Sequence, residues 1–445
     1  MLAKKKDTQQ MSFYSTFKEQ LNHSHSLYLL ANEIDWNRFD SAFRHHYSET
    51  TGAPAKPIRL MVSLLILKQI RNLSDENVVL QWSENSYFQY FSGEEIFCNI
   101  PPCSSTELVE FRKRIGEKGV ELIFQESIRV NGKDSDDPNI SADSTIQEKN
   151  ITYPTDDKLY KKIISKCQTI AEEEAIELRQ SYSRTVKKLS TLQRLRKKKG
   201  GDVKARRASR KIKTIAGRLV RDIERKLPAE SLIKYGPTLC LFKRVLNQKR
   251  GDTNKVYSLH EPDVKCYSKG KEHKKFEFGS KACFLVTQKT NVIVGAINFS
   301  ETIHDSKTLT AALEQHKRLT EITAKNVFVD RGYAGPKKIG ESMINMPRPD
   351  KNITTSKRKG HKRRAAIEPI IGHMKNDYRM LRNYLKGVTG DTLNVMLAAA
   401  AMNFKRKMNI LKKLNAHFSH YFNLLIEYAR INQLLNFNII EERTF

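Results

Sequence analysis

Three carboxylates stand where a charge is costly unless something compensates it. Asp143 lies inside the stretch Asn139–Ile146, whose alternation of small or apolar residues reads as a short strand. Asp330 closes the apolar run Asn326–Asp330 and is followed at once by Arg331, Gly332 and Tyr333. Glu368 opens a late apolar-periodic stretch in the run Ala365–Pro369. An acid among apolar neighbours at a strand end needs hydrogen bonds or a cation. A divalent metal is one such cation, because Mg²⁺ prefers oxygen ligands and keeps positions open for water and phosphate. Two ions roughly 3.5–4 Å apart would activate an attacking oxygen and stabilise a leaving one during in-line displacement. Neither a nucleophilic triad nor a Gly-rich phosphate loop is present, and such chemistry needs neither.

A geometric test follows from the helix expected after Glu368. At 100° per residue, Glu368, Lys375, Arg379 and Arg382 fall at about 0°, −20°, +20° and −40°. One carboxylate and three cations would share a stripe suited to clamping phosphate oxygens. Backward extension adds Arg364 and His361 to the same side, with Pro369 between them as a kink or a helix start.

Elements that position these groups are legible in outline. The length of 445 residues predicts two or three units. Residues from about 10 to 130 read as helical, with a buried helix at Leu60–Leu67, an N-cap near Ser74, and a capping signal at Ser104–Glu107. We take 1–133 as a helical N-terminal domain that binds DNA. The polar run Asn131–Pro138 is turn chemistry and marks its end. A catalytic unit over 134–410 follows, interrupted at about 156–250 by a helical insertion, with a helical tail at 411–445. Strands are expected at Lys255–His260, Phe276–Thr287, Asn291–Asn298 and Asn326–Asp330, and a helix at Ser306–Leu319. Consecutive strands pair antiparallel, and a strand reached through a helix can run parallel to the first. The fold class is therefore α/β, a mixed sheet flanked by helices.

Charge points to the partner. Lys and Arg number 79 against 49 Asp and Glu, a net +30, so a polyanion is expected. The insertion concentrates this excess around Gly200 and Gly201, where Lys197, Lys198, Arg206, Arg207 and Arg210 fall on the outer faces of two amphipathic helices. Phosphate contact relieves the repulsion in such a run. The six cysteines form no C-x-x-C pair, so neither a zinc module nor a disulfide framework is expected. No apolar run spans a bilayer, and the first residues have no apolar core behind their lysines, so a cytoplasmic, nucleoid-associated protein is expected.

At this point the residues resemble a known family. Ala142–Asp156 looks like the first acidic motif of bacterial DDE transposases of the insertion-sequence-five type. Val329–Tyr333 looks like the second, and Arg363–Lys375 the third. Leu60–Asn72, Glu261–Lys265, Ser268–Lys271 and Asn383–Val388 are also similar, so the resemblance runs from about residue 12 to 410. It implies an RNase H-like catalytic core with an insertion, a helical N-terminal domain, and cut-and-paste movement of a DNA element. It implies that Asp143, Asp330 and Glu368 hold Mg²⁺, two ions in all, with Mn²⁺ as a substitute. Related insertion-sequence enzymes carry a Tyr, Arg, Glu, Lys signature on the last helix. Arg364, Glu368 and Lys375 fit that spacing here, and His361 stands at the Tyr position. The basic segment between Asp330 and Glu368 would be mobile and face DNA.

The implied function is a transposase acting on double-stranded DNA, on the inverted repeats at the element ends and on a target, as a homodimer in the DNA complex. Two alternatives stay open: a Mg²⁺-dependent nuclease that cuts without joining, and a catalytically silent DNA-binding derivative.

Overall fold

The computed structural model describes residues 15–48, 50–249, 251–268, 275–347 and 354–441; within the last helix the side chains of 419, 421–423 and 426–441 fall outside that description. Helices begin where a polar cap precedes an apolar stripe. The first three are short: α1 (Phe17–Gln20), α2 (Ser26–Glu33) and α3 (Trp36–Phe43). In α4 (Ile58–Ile70) apolar residues occupy all sides, and the helix is accordingly buried on all sides from Leu60 to Ile70. Next comes α5 (Asp75–Glu84), which starts at Ser74, whose Oγ accepts from the Asn77 N–H at 3.1 Å. After α6 (Ser86–Phe91), α7 (Ser105–Arg129) opens on a reciprocal capping box between Ser104 and Glu107. Gly116, at φ 58°, kinks α7 in a region open to glycine.

The sheet starts with β1 (Asn139–Lys149). The chain then leaves for four helices, α8 (Asp156–Glu173), α9 (Ser183–Arg194), α10 (Gly201–Lys226) and α11 (Ala229–Asn247). Their stripes, such as Ile212, Ile215, Leu219 and Ile223 on α10, close a hydrophobic core of their own. Gly200, at φ 68°, makes the left-handed turn between α9 and α10.

On return the chain forms β2 (Lys265–Ser268), β3 (Phe276–Thr287), β4 (Ile293–Phe299), α12 (Asp305–Thr320) and β5 (Asn326–Phe328). Then follow β6 (Lys338–Ile339), β7 (Ser342–Asn345), α13 (Thr355–Arg364), α14 (Ile367–Asp377), β8 (Arg382–Asn383) and α15 (Gly387–Glu441). β3 pairs antiparallel with β1, β2 and β4, whereas β5 and β8 run parallel to β1 at its two ends. The mixed sheet expected from the sequence is therefore present.

Three expectations need correction. Lys255–His260 is not a strand: the Val256 N–H is taken by the Gln248 side chain at 3.0 Å, so that residue's donor is not available to a ladder. The segment after Asp330 is not a plain loop, since β6, β7 and α13 occupy much of it, and residues 348–353 lie outside the described residues. The stripe expected on one helix after Glu368 is broken, as described below.

One continuous core joins the N-terminal helices to the sheet. It includes Leu64 and Leu65 of α4, Phe124 of α7, Ile140 of β1, Phe284 of β3, and Ala398 and Phe404 of α15. The apolar stretch Val395–Ala401 of α15 is buried, and the helix packs against α2, α4, α7 and β4. No helix among the described residues is long and apolar enough to cross a membrane.

Candidate active site

Register places the first two carboxylates together. β1 and β5 pair in parallel as Asn139 with Asn326, Ile140 with Val327, and Ser141 with Phe328. Continuing that register by two residues sets Asp143 beside Asp330 on the same face. Adjacent strands lie about 4.8 Å apart, and the Asp330 charge is close enough to act on the Asp143 carboxyl. Asp143 is mid-strand, opposite Phe284 of β3, and its Oδ1 accepts from the Ser144 N–H at 2.8 Å. Asp330 leaves β5 into a one-turn helix, Arg331–Tyr333, and its Oδ1 accepts from the Gly332 N–H at 2.9 Å.

Glu368 arrives on the first turn of α14. Ile367, Ile370, Ile371 and Met374 form the i, i+3, i+4, i+7 stripe that seats this helix on the core, and α14 packs against β1. Glu368 itself stays outward, its side chain 68% exposed. Arg364, the last residue of α13, reaches between the acids, with Nη1 3.7 Å from Asp143 and Nη2 3.6 Å from Glu368. Close approach of α13 to the sheet depends on Gly360, where a Cβ would meet the Phe328 ring at 2.2 Å.

The electrostatics follow from this crowding. Burial, then the charges of Asp330 and Glu368, push the Asp143 carboxyl up to about 6, against the Ser144 N–H and the Arg364 guanidinium. An all-oxygen, mutually repelling donor set of this kind suits a hard divalent cation. Arg364 meets the need only in part, at distances beyond hydrogen bonding. Among the described residues, no three acid, His or Cys groups stand close enough to hold an ion as placed. Glu368 is the outlying member, and the guanidinium lies between it and Asp143.

The other predicted residues are distributed differently. The expected helical stripe ends at Asp377: Arg379 takes φ 62°, and Arg382 belongs to β8. Lys375, Arg379 and Arg382 nevertheless line one cleft of about 870 Å³ with Lys68, Arg112 and Tyr384. The Arg379 guanidinium stacks on the Tyr384 ring, 5.4 Å from its centroid, and donates to the Asn72 carbonyl at 3.1 Å. His361 does not join the carboxylates. Its ring meets Phe328 edge-on at 5.3 Å, and its Nδ1 is buried without a partner. Arg331 is exposed in the turn after Asp330. Lys197, Lys198, Arg206, Arg207 and Arg210 are exposed on the insertion, where Arg206 pairs with Asp202.

Sequence reasoning missed two supporting networks. Lys281 of β3 and the Ser144 hydroxyl both donate to Asp305, at 2.8 and 2.7 Å. Burial opposes the Asp305 charge, but these donors hold its carboxyl below the usual range. Strand alternation turns Ser144 away from the Asp143 face, so this network backs the site. At the far end of β1, buried Lys149 donates to Asp391 at 2.7 Å and to the Gly387 carbonyl at 2.9 Å, and lies 3.4 Å from Glu261. No local signal marks either network, because their partners are far apart in sequence.

Comparison with known families gives the chain its place. Residues 15–114 match the family described as "Transposase domain (DUF772)", and residues 249–404 match the "Transposase DDE domain". The sheet and site thus define an RNase H-like DDE domain behind a helical N-terminal region. The chain belongs to the DDE transposases, with the domain pairing typical of the insertion-sequence-five type. Asp330 and Glu368 fall inside the second match, while Asp143 precedes it and is brought in by β1. An uncharacterized protein, ORF8 in the nfe locus of Rhizobium meliloti, is 39% identical over 173 residues, covering 38% of this chain and 83% of that protein. No solved structure matches.

Proposed function

We propose that this protein excises and inserts a DNA element by Mg²⁺-dependent phosphodiester hydrolysis followed by strand transfer. The parallel register that seats Asp143 beside Asp330, with Glu368 and Arg364 at hand, is the observation that carries the reading. Bound there, two Mg²⁺ ions (or Mn²⁺) would supply Lewis-acid activation of the attacking and leaving oxygens. Asp143, Asp330 and Glu368 are the groups that would hold them.

The chain's own residues then have defined work. Arg364 leaves the carboxylates for a nonbridging phosphate oxygen once their charge is otherwise met. Lys375, Arg379 and Arg382 hold the flanking backbone along their cleft, and the insertion's basic helices hold phosphates further out. In the first step a water oxygen bonds to phosphorus and the bond to the 3′ oxygen breaks, leaving a 3′-hydroxyl on the element end. In the second, that hydroxyl attacks a target phosphate and a target 3′-hydroxyl leaves, so one phosphodiester replaces another. Two copies of the chain would pair two inverted-repeat ends, acting on the nucleoid in the cytoplasm.

Asp143→Ala and Glu368→Ala should abolish Mg²⁺-dependent strand cleavage while leaving DNA retention intact. Equal cleavage by these variants would remove both residues from the mechanism. Supplying pre-cleaved ends separates joining from cutting. Failure to join them while intact ends are still cut would mark a nuclease, and binding without either step would mark a silent derivative.

A further inference from the structure

From the network behind the sheet we propose that Asp305 is a positioning residue for both Asp143 and Asp330, acting through the two residues whose backbone amides hold those carboxylates. The inference rests on the reading of that pair as metal-holding groups. Each carboxylate accepts from a main-chain N–H close by. Asp143 Oδ1 takes the Ser144 N–H at 2.8 Å, and Asp330 Oδ1 takes the Gly332 N–H at 2.9 Å. Asp305 meets both donor residues. The Ser144 hydroxyl donates to its Oδ1 at 2.7 Å, and Lys281 donates to the same oxygen at 2.8 Å. Its Oδ2 stands toward the Asp330 turn, 3.5 Å from the place that a Cβ on Gly332 would take. That place is also 3.1 Å from Asp330 Oδ1. A side chain at 332 would wedge between the two carboxylates, and glycine lets them close on one amide.

Asp305 is a fixed point in the fold. It opens α12, where the Thr308 hydroxyl donates to its carbonyl at 2.7 Å. Leu309 and Ala312 are buried as α12 packs on β3 and β4. A Cβ on Gly335 would meet Ser306 at 3.0 Å, so the chain leaving Asp330 lies flush against the first turn of that helix. Lys281, which also donates to the Ile303 carbonyl at 2.7 Å, balances the Asp305 charge. The network therefore adds no net charge behind acids that already repel each other. An ion pair that served the fold alone would not need Ser144. Here its oxygen takes the hydroxyl of the very residue whose amide orients Asp143. Ser144 and Asp143 point to opposite faces of the sheet, so Asp305 acts from behind, through the backbone. Outer partners of metal-holding groups are commonly worth about 10–100-fold in metal affinity.

The test is Mn²⁺ binding to the full chain without DNA, followed by loss of the free-ion paramagnetic resonance signal. Asp305→Ala and Ser144→Ala should each raise the Mn²⁺ dissociation constant about tenfold. The double variant should go no further than either single one, because both cut the same link. Asp305→Asn keeps the accepting oxygen and should recover most of the affinity, whereas a direct ligand would lose it as Ala does. Ser144→Ala leaves the Lys281–Asp305 pair in place, so it decides the matter even if Asp305→Ala does not fold. Unchanged Mn²⁺ binding in Ser144→Ala overturns the proposal, as does an Asp305→Asn variant as weak as Asp305→Ala. Mn²⁺ binding that survives Asp143→Ala, or is absent from the wild type, instead overturns the metal-holding reading and takes this inference with it.

Discussion

Asp143→Asn should make the metal-free protein more stable at pH 8, although it removes a catalytic group. The Asp143 carboxyl is pushed from an ordinary 3.8 up to about 6 in the folded chain. A raised acid binds its proton more tightly folded than unfolded. Its favourable contribution is therefore complete below about pH 4 and is lost as pH rises through about 6. Each unit is about 1.36 kcal/mol, so ionised Asp143 costs the fold about 3 kcal/mol at pH 8. The side chain is only 17% exposed, so solvent screening removes little of this. The shift already nets the opposing Ser144 N–H and Arg364 guanidinium, and Asn keeps an oxygen for the former, so the expected gain is of the same size, about 3 kcal/mol. Urea unfolding of both proteins at pH 8 and at pH 4, in chelator, measures it. The gap should close at pH 4, and added Mg²⁺ should stabilise the wild type alone. A variant that is equally stable at pH 8, or a gap that does not narrow on acidification, would refute the crowding argument.

Arg364→Gln should move the Asp143 carboxyl above about 6, because the guanidinium opposes the rise; carbonyl-carbon resonances followed through a pH titration would show a fall if this is wrong. Cleavage should drop about 100-fold in the same variant. Gly360→Ala should destabilise by about 1–3 kcal/mol by driving α13 off Phe328, whereas Gly372→Ala, with open space at its Cβ, should be neutral or stabilising; denaturation midpoints in the reverse order would contradict the packing. Lys149→Ala strands Glu261 and Asp391 and should cost about 3–5 kcal/mol, seen as a lower urea midpoint.

The elements that carry the three acids were legible in local patterning: Asp143 lies inside a strand, Asp330 follows the end of another, and Glu368 opens a helix. Asn326–Phe328 is a strand by its β-branched and aromatic content, and Ile367, Ile370, Ile371 and Met374 show a helix by period. What the sequence could not supply was pairing. The register of β1 with β5 joins residues separated by the whole insertion, and nothing local encodes it. The failed stripe has a local cause instead. Helical periodicity was continued through Tyr378 and Arg379, where the chain turns into the left-handed region and the Met380 N–H bonds back to the Met374 carbonyl. Arg379 and Arg382 still reach a common cleft with Lys375, so a wrong angular argument named residues that tertiary folding gathers by another route.

The core that runs without a break from α4 and α7 through α15 to β4 has a mechanical corollary. Among the described residues the amino-terminal helices and the sheet share that core, so swinging them free of the carboxylates would expose it. Any base pairs those helices recognise would then be measured off against the scissile phosphate by a rigid gauge. The element's ends would have to conform to that span, and inserting a few base pairs between recognition and cut sites should be tolerated poorly, with a further penalty from the turn of the double helix.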